Sequence, residues 1–317
     1  MLTFILRRLV LLVPVLFGVS LISFVLIRSI PGDAIDLMIG IDQQTSPELR
    51  ENLRESYGLD EPMPVQYVKW MGHILQGDLG NSIRSKRAVT EELQLRLPVT
   101  IELTLLSALF AAIPGVAVGV LAAVKRNSVA DYGATIVTLL GISFPSFFLA
   151  AVLMLVLSRE LQWLPPLGYV PFSDDPIQNL KSMTMPALSL SLPLAAVLMR
   201  NTRSATLEVL NQDYVRVARA KGLRANRVLI RHVLPNASLP ILTVAGIQIA
   251  ALLGGTLIIE QFFTLPGIGR YVYDAIANRD YPVVQGVTLI TATIFVLVSL
   301  LVDVLYAVLD PRLRTGR

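Results

Sequence analysis

The sequence has no cysteine, two histidines and two tryptophans, and only 16% of its 317 residues are Asp, Glu, Lys or Arg. Absence of cysteine excludes disulfides and thiolate metal sites. His73 and His232 are assigned below to opposite sides of a membrane, so they cannot hold one metal ion between them, and no metal site is expected. His73 reads as a surface histidine. Catalytic signatures are missing as well. There is no Ser/His/Asp or His-Glu-x-x-His arrangement, and Glu91-Glu92 fits the solvated face of an amphipathic helix better than an acid/base pair. No Gly-x-x-x-x-Gly-Lys-Ser/Thr phosphate loop occurs, which argues against nucleotide hydrolysis by this chain. Internal repeats and low-complexity tracts are absent too.

What the chain does have is apolar length. Hydrophobic residues make up 54% of it and its mean hydropathy is +0.63, whereas a soluble domain is about 25% charged. A helix crosses a bilayer in roughly 20 apolar residues, and six stretches qualify: 9–27, 101–124, 132–157, 185–199, 239–263 and 283–308. The fourth is short and carries Pro186 and Pro193, which predicts a broken or tilted helix whose freed backbone groups are satisfied by its neighbours. Strand alternation of the outer-membrane-barrel kind is missing. The expected class is an all-α membrane protein, a polytopic bundle of about six transmembrane helices. Arg7 and Arg8 precede the first span, whose apolar run is longer than a signal peptide's and is followed by no small-residue cleavage site, so it reads as a retained helix.

Lysine and arginine set the orientation. Arg7, Arg8, Lys125, Arg126, Arg312, Arg314 and Arg317 fall on one side together with Arg200, Arg203, Arg216, Arg219, Lys221, Arg224, Arg227 and Arg231. The other side's short connections hold only Arg159, Lys181, Arg270 and Arg279. The positive-inside rule puts both termini in the cytoplasm. The net charge of +4 is then mostly a topology signal. No basic patch interleaved with aromatics lies outside one loop, so no nucleic-acid partner is expected. This divides the chain into an N-terminal helix (1–28), a polar extracytoplasmic segment (29–97), a membrane core (98–310) containing a cytoplasmic loop (203–235), and a tail (311–317). Within the outer segment, Ser46 and Pro47 mark a helix start, 58–64 a turn-rich break, Gly77-Asp78-Leu79-Gly80-Asn81-Ser82 a glycine-punctuated loop, and 89–97 an amphipathic run.

The cytoplasmic loop opens with Asp213-Tyr214-Val215-Arg216-Val217-Ala218-Arg219-Ala220-Lys221-Gly222. Helical spacing puts Tyr214, Val217 and Ala218 on one face and Arg216 and Arg219 on another. With Asp213 as N-cap and Gly222 as the stop, the helix is about two turns long. A short helix tied to membrane spans suits docking into a groove of a soluble partner. On its own the loop is more readily read as a basic loop that serves topology.

The loop resembles the EAA loop of ATP-binding-cassette import permeases, whose pattern is Glu-Ala-Ala, three residues, Gly, nine residues, then Ile-x-Leu-Pro. Gly222 and Leu234-Pro235 keep that spacing and Ala218 matches, while Arg216, Val217 and His232 depart from it. Ordered landmarks resemble the peptide/nickel branch over essentially the whole chain. They are Pro31-Gly32-Asp33, Tyr57-Gly58-Leu59-Asp60-Glu61-Pro62, Gly77-Asp78-Leu79-Gly80, Gly141-Ile142-Ser143-Phe144-Pro145, Ala218-Arg219-Ala220-Lys221-Gly222-Leu223, Leu253-Gly254-Gly255, Pro266-Gly267-Ile268-Gly269-Arg270, Arg279-Asp280-Tyr281-Pro282 and Asp310-Pro311-Arg312. In that branch Ala-Arg-Ala-Lys-Gly commonly replaces Glu-Ala-Ala.

The resemblance implies a type I importer permease with a MetI-like core, the first of two non-identical membrane subunits in a bacterial inner membrane. The implied partners are a second homologous permease subunit, two cytoplasmic ABC ATPase subunits, an extracytoplasmic substrate-binding protein and the lipid bilayer. No cofactor is expected on this chain; ATP and Mg belong to the ATPase subunits. The coupling residues implied are Tyr214, Val217, Ala218, Arg219, Ala220, Lys221, Gly222, Leu234 and Pro235. Short peptides are the implied cargo, with nickel (free or chelated) or glutathione as alternatives. A secondary transporter, the rival from another class, predicts symmetry between halves and mid-membrane charges; the halves are dissimilar. A membrane scaffold is disfavoured by the ordered landmarks. Glu102, Glu260 and Asp303 fit either a transport path or, more readily, interfacial exposure or helix–helix hydrogen bonds. Gly254 and Gly255 fit close approach of the partner permease or packing within this subunit.

Overall fold

The computed structural model describes residues 2–29 and 61–309, which are helical with no strand among them. The Ser46-capped helix, the first three residues of the 58–64 break and the tail lie outside the described residues. In chain order the helices are α1 (Leu2–Arg28), α2 (Met63–Leu75), α3 (Val89–Val124), α4 (Val129–Ser143) and α5 (Ser146–Leu153), the last running into a π-helical turn at Met154–Glu160. They continue with α6 (Pro176–Leu210), α7 (Asp213–Ala220) and α8 (Ala225–Val228). A π-helical turn (Leu229–Val233) leads into α9 (Leu234–Gly255), followed by α10 (Leu257–Phe262), α11 (Ile268–Ala277) and α12 (Tyr281–Leu309). Among the described residues, five helical stretches are long and apolar enough to span a membrane, and the bent pair α4–α5 brings the number to six.

The core is the pairing of α3 with α6. Gly115 and Gly119 stand one turn apart on α3, and a Cβ on either would meet the α6 backbone, at 2.9 Å from the Ala195 carbonyl and 2.7 Å from the Met199 carbonyl. Small residues at this four-residue spacing let two helix backbones approach closely in a bilayer, where apolar side chains gain little by leaving lipid. This spacing was readable in the sequence and is absent from the expectations above. Around the crossing, Val99 and Leu103 of α3, Ala150 of α5 and Met183, Met185, Ala187 and Leu190 of α6 pack with Ile259, Phe263 and Leu265.

The expectation for one span fails, and another span takes a bend that was not anticipated. The fourth span is neither short nor broken. α6 runs unbroken for 35 residues through Pro186 and Pro193, starting from Asp175, whose side chain accepts the Ile177 and Gln178 amides at 3.0 Å. Hydrophobicity alone underrates it because it is the central helix, carrying Asn179, Ser182, Ser189, Ser191, Thr202 and Thr206 buried among its neighbours. Its serines bond back to its own carbonyls, Ser189 to Pro186 at 2.7 Å and Ser191 to Leu188 at 3.0 Å. The third span is not one straight helix: α4 and α5 meet at 102° across Phe144-Pro145. Proline biases the residue before it away from helical geometry, and Phe144 is extended at φ −95°, ψ 128°.

Ahead of the second span, the amphipathic run 89–97 is continuous with it in the 36-residue α3. Gly77 and Gly80, both at positive φ, shape the loop before it. That loop is tied down by Asp280, which is buried and accepts the Ser82 hydroxyl at 2.6 Å and the Ile83 amide at 3.1 Å. On the flank, α1 packs on α12 and on an aromatic group in which Phe24, Tyr67 and Trp70 have ring centroids 5.4–6.0 Å apart.

Candidate coupling loop

Helix α7 sits at the end of α6 and is held there by a small apolar cluster. Val215 and Ala218 point inward against Val228 and Val233, with Val209, Leu210, Leu223 and Leu229 around them. Its start differs from the sequence expectation. Gln212 occupies the cap position with no side-chain bond to the helix, while Asp213 is the first helical residue and pairs with Arg216. An acidic residue there still complements the helix dipole.

Its end is a Schellman turn. Gly222 lies at φ +77°, its amide bonds the Arg219 carbonyl at 2.9 Å, and the Leu223 amide bonds the Ala218 carbonyl at 3.4 Å. The hydrophobic contact that accompanies this turn is the one between Leu223 and Ala218 in the cluster. Leu234 and Pro235 open α9, directly after the π-helical turn. Pro235 has no amide to give that turn, and the missing donor falls where the helix changes winding. Below this junction Ala237 and Ile241 pack on Ala205, with Val116 of α3 and Val209 beside them. The two ends of the loop are therefore fixed to the same base.

The exposed face of α7 carries Tyr214, 43% exposed, and Val217, 53% exposed, flanked by exposed Arg216, Arg219, Ala220 and Lys221. Tyr214 and Val217 match the expected outer face. Ala218 does not: it is 7% exposed and belongs to the internal cluster. The expectation grouped it by spacing with Tyr214, whereas the chain's own apolar partners lie on the Val215–Ala218 edge.

An ion pair strengthens the base. Arg203 donates to Asp131 through Nε at 2.6 Å and Nη2 at 2.9 Å. Asp131 also accepts the Asn127 amide at 3.0 Å, so α4 and the preceding turn are clamped to α6 beside the loop. The pairing was not expected from the sequence, where Arg203 counted only towards orientation, because a pair 72 positions apart leaves no local pattern.

The remaining candidates are scattered. Glu260 is fully buried, so of the readings offered for it the helix–helix hydrogen bond holds and exposure does not. It accepts the Thr100 hydroxyl at 2.7 Å and the Arg270 amide at 2.9 Å, which ties α10, α3 and the start of α11 together. Gly267 and Gly269 leave room for it, since a Cβ on Gly267 would lie 2.3 Å from its carboxylate. Glu102 accepts the Tyr169 hydroxyl at 3.1 Å, and its other oxygen is buried without a partner. Burial, with the Glu102 charge adding to it, pushes the Tyr169 phenol up to about 12. Asp303 pairs with Arg8 at 3.0 Å, joining α12 to α1. A Cβ on Gly254 would meet nothing within 4 Å, so packing within this subunit does not require that glycine; the side-chain environment of Gly255 lies outside the described residues.

Comparison with known proteins puts this architecture in a family. Residues 115–315 match the model of the binding-protein-dependent transport system inner membrane component, and residues 1–104 match its N-terminal companion. The chain is 41% identical to a di/tripeptide transport system permease protein, DppB, of Pseudomonas aeruginosa, with all of both chains covered. It is 41% identical to the oligopeptide transport system permease protein AppB of Bacillus subtilis, and 42% identical to the dipeptide transport system permease protein DppB of Escherichia coli, with 99% of each chain covered. The fold is that of a solved MetNI methionine ABC transporter, captured in inward-facing conformations, at TM-score 0.57 and 17% identity over 69% of this chain and 96% of that one. The chain thus belongs to the family of binding-protein-dependent transport system inner membrane components, as a multi-span permease.

Proposed function

We propose that this chain is one membrane subunit of an ATP-driven importer of short peptides, paired with a second permease, powered by two cytoplasmic ATPase subunits and fed by an extracytoplasmic binding protein. The observation that carries the cargo is the full-length match to permeases named for di/tripeptide, dipeptide and oligopeptide transport. With both termini in the cytoplasm, as the lysine and arginine asymmetry favours, α7 stands on the cytoplasmic side with Tyr214 and Val217 outward. ATP binding draws the ATPase subunits together, and a stiff helix anchored at both ends moves with them. The spans then rock as rigid bodies between inward-open and outward-open states.

Reconstituting the assembled importer in liposomes with its binding protein tests the reading. ATP-dependent uptake of a labelled dipeptide, competed by di- and tripeptides and unaffected by nickel or glutathione, is the expected result. Uptake of nickel or glutathione in place of peptide would refute the cargo while leaving the importer intact.

A further inference from the structure

The break between α4 and α5 carries a consequence for the transport route. α4 is 15 residues long, which gives about 22 Å of rise from the Lys125-Arg126 end. That is short of the roughly 30 Å of hydrocarbon in a bilayer, so Phe144-Pro145 lies at membrane depth. A helix end leaves its last carbonyls outside the ladder, and the next helix leaves its first amides so. At Pro145 only the Phe148 and Leu149 amides return to the ladder, both on the Pro145 carbonyl, at 3.0 and 3.1 Å. Ser143 does not fill the gap, because its hydroxyl bonds Leu139 at 2.7 Å.

Non-helical backbone of this kind is not tolerated facing lipid; it occurs where protein covers it or where it lines water. Among the described residues, covering from this subunit comes from behind. Gly141 presses on α6, with a Cβ there 2.9 Å from the Ala196 methyl, whereas Ser143, Phe144, Pro145, Phe147 and Phe148 are exposed. Phe144 and Phe148 stack with ring centroids 5.1 Å apart and an interplanar angle of 16°. Apolar walls beside a few converging backbone groups are the character of a small-ligand site.

We infer that the Ser143–Ser146 break lines a water-filled translocation route between the two permease subunits, where its free carbonyls and amides bond the backbone of a passing peptide and the phenylalanines receive its side chains. This rests on the importer reading above. A permanent cover by the partner permease is the weaker account: two bundles that rock against each other would break any matched set of bonds in every cycle, whereas water follows the motion.

The cysteine-free sequence supplies the test. Ser143→Cys and Phe147→Cys are compared with Val13→Cys and Leu301→Cys, exposed apolar positions on α1 and α12, in the assembled importer. The probe is a cationic, membrane-impermeant methanethiosulfonate, and the unsubstituted chain gives the background from partner proteins. A thiol reacts as thiolate, which apolar surroundings suppress, so the two break positions should label about tenfold faster than the two controls. Loaded binding protein plus ATP should change their rate. Ser143→Cys replaces a residue of similar size, so it remains informative if Phe147→Cys fails to assemble. Equal labelling at all four positions, or labelling at the break as slow as at the controls while peptide uptake continues, overturns the inference and leaves the importer reading standing. High-yield cross-linking of Ser143→Cys to the partner permease in every nucleotide state overturns it also, in favour of a covered interface. Loss of uptake by the unsubstituted complex would instead count against the importer reading.

Discussion

Gly222 offers a perturbation whose magnitude is set by backbone conformation alone. A Cβ there would meet nothing within 4 Å, yet φ is +77°. Side-chain volume therefore costs nothing, and only the left-handed conformation does. An L-residue in that region is disfavoured by about 1–2 kcal/mol, asparagine being the residue that tolerates it best and a β-branched residue the one that tolerates it worst. Gly222→Asn should then be mildest, Gly222→Ala intermediate at about 1 kcal/mol and Gly222→Val the most damaging, at about 2 kcal/mol or more.

Each 1.4 kcal/mol is about a tenfold change in equilibrium. Gly222→Val should thus lower the population of the closed turn more than tenfold relative to glycine, and both bonds of that turn go with it. The readouts are co-purification of the ATPase subunits and peptide-stimulated ATP hydrolysis by the reconstituted complex. Both should fall in the order Asn, Ala, Val, with membrane insertion unchanged. A ranking by volume, with asparagine worse than alanine, would refute the backbone argument. Full activity for all three would show that the turn does not stiffen the lever.

Ala218→Glu should place an unpaired carboxylate among Val215, Val228 and Val233, at a cost on the order of several kcal/mol, and expose the loop to limited proteolysis. Val217→Glu on the exposed face should leave the proteolytic pattern intact while ATPase co-purification drops; equal proteolysis in both would contradict the assignment of faces. Glu260→Ala removes the acceptor of the buried Thr100 hydroxyl, which keeps only the bond it accepts from the Ile268 amide, and leaves the Arg270 amide unpaired; it should lower the thermal midpoint in detergent by the equivalent of about 2–3 kcal/mol, with Glu260→Gln much milder. Asp131→Asn breaks a clamp in which the carboxylate is 4% and the arginine 31% exposed, so about 2–3 kcal/mol of stability should be lost, and an unchanged midpoint would rule out a structural role.

The membrane class and the positions of all six spans were legible because about 20 apolar residues in a row leave few alternatives. The character of two spans was not. α6 read as short and broken because burial, which permits Asn179, Ser182, Ser189 and Thr202 inside it, is a property of the assembled bundle and not of the helix. Gly115 and Gly119 were the readable sign that a second helix lay close, and they identify the face of α3 that meets α6. The break in the third span also had a local signal, Phe144 before Pro145, but the 102° bend follows only once α6 blocks one side and leaves the other open.

The coupling loop divides in the same way. Gly222 was predictable, since a glycine at a helix end has one conformational use that other residues fill poorly. The inward face was not, because a two-turn helix gives too few positions to separate Ala218 beside Val215 from Ala218 beside Val217 by spacing alone. Val228 and Val233 decide it, and both lie beyond the helix. Glu260 shows the limit for charge. Sequence position left interfacial exposure and helix–helix hydrogen bonds open for it, and the second is what the structure shows: burial is made tolerable by Thr100 from distant α3 and the nearby Arg270 amide, with space left by Gly267 and Gly269. A carboxylate so enclosed fixes where α10 turns into α11. Any role it has in transport then acts through that joint, because the side chain has no open face on which to meet a substrate.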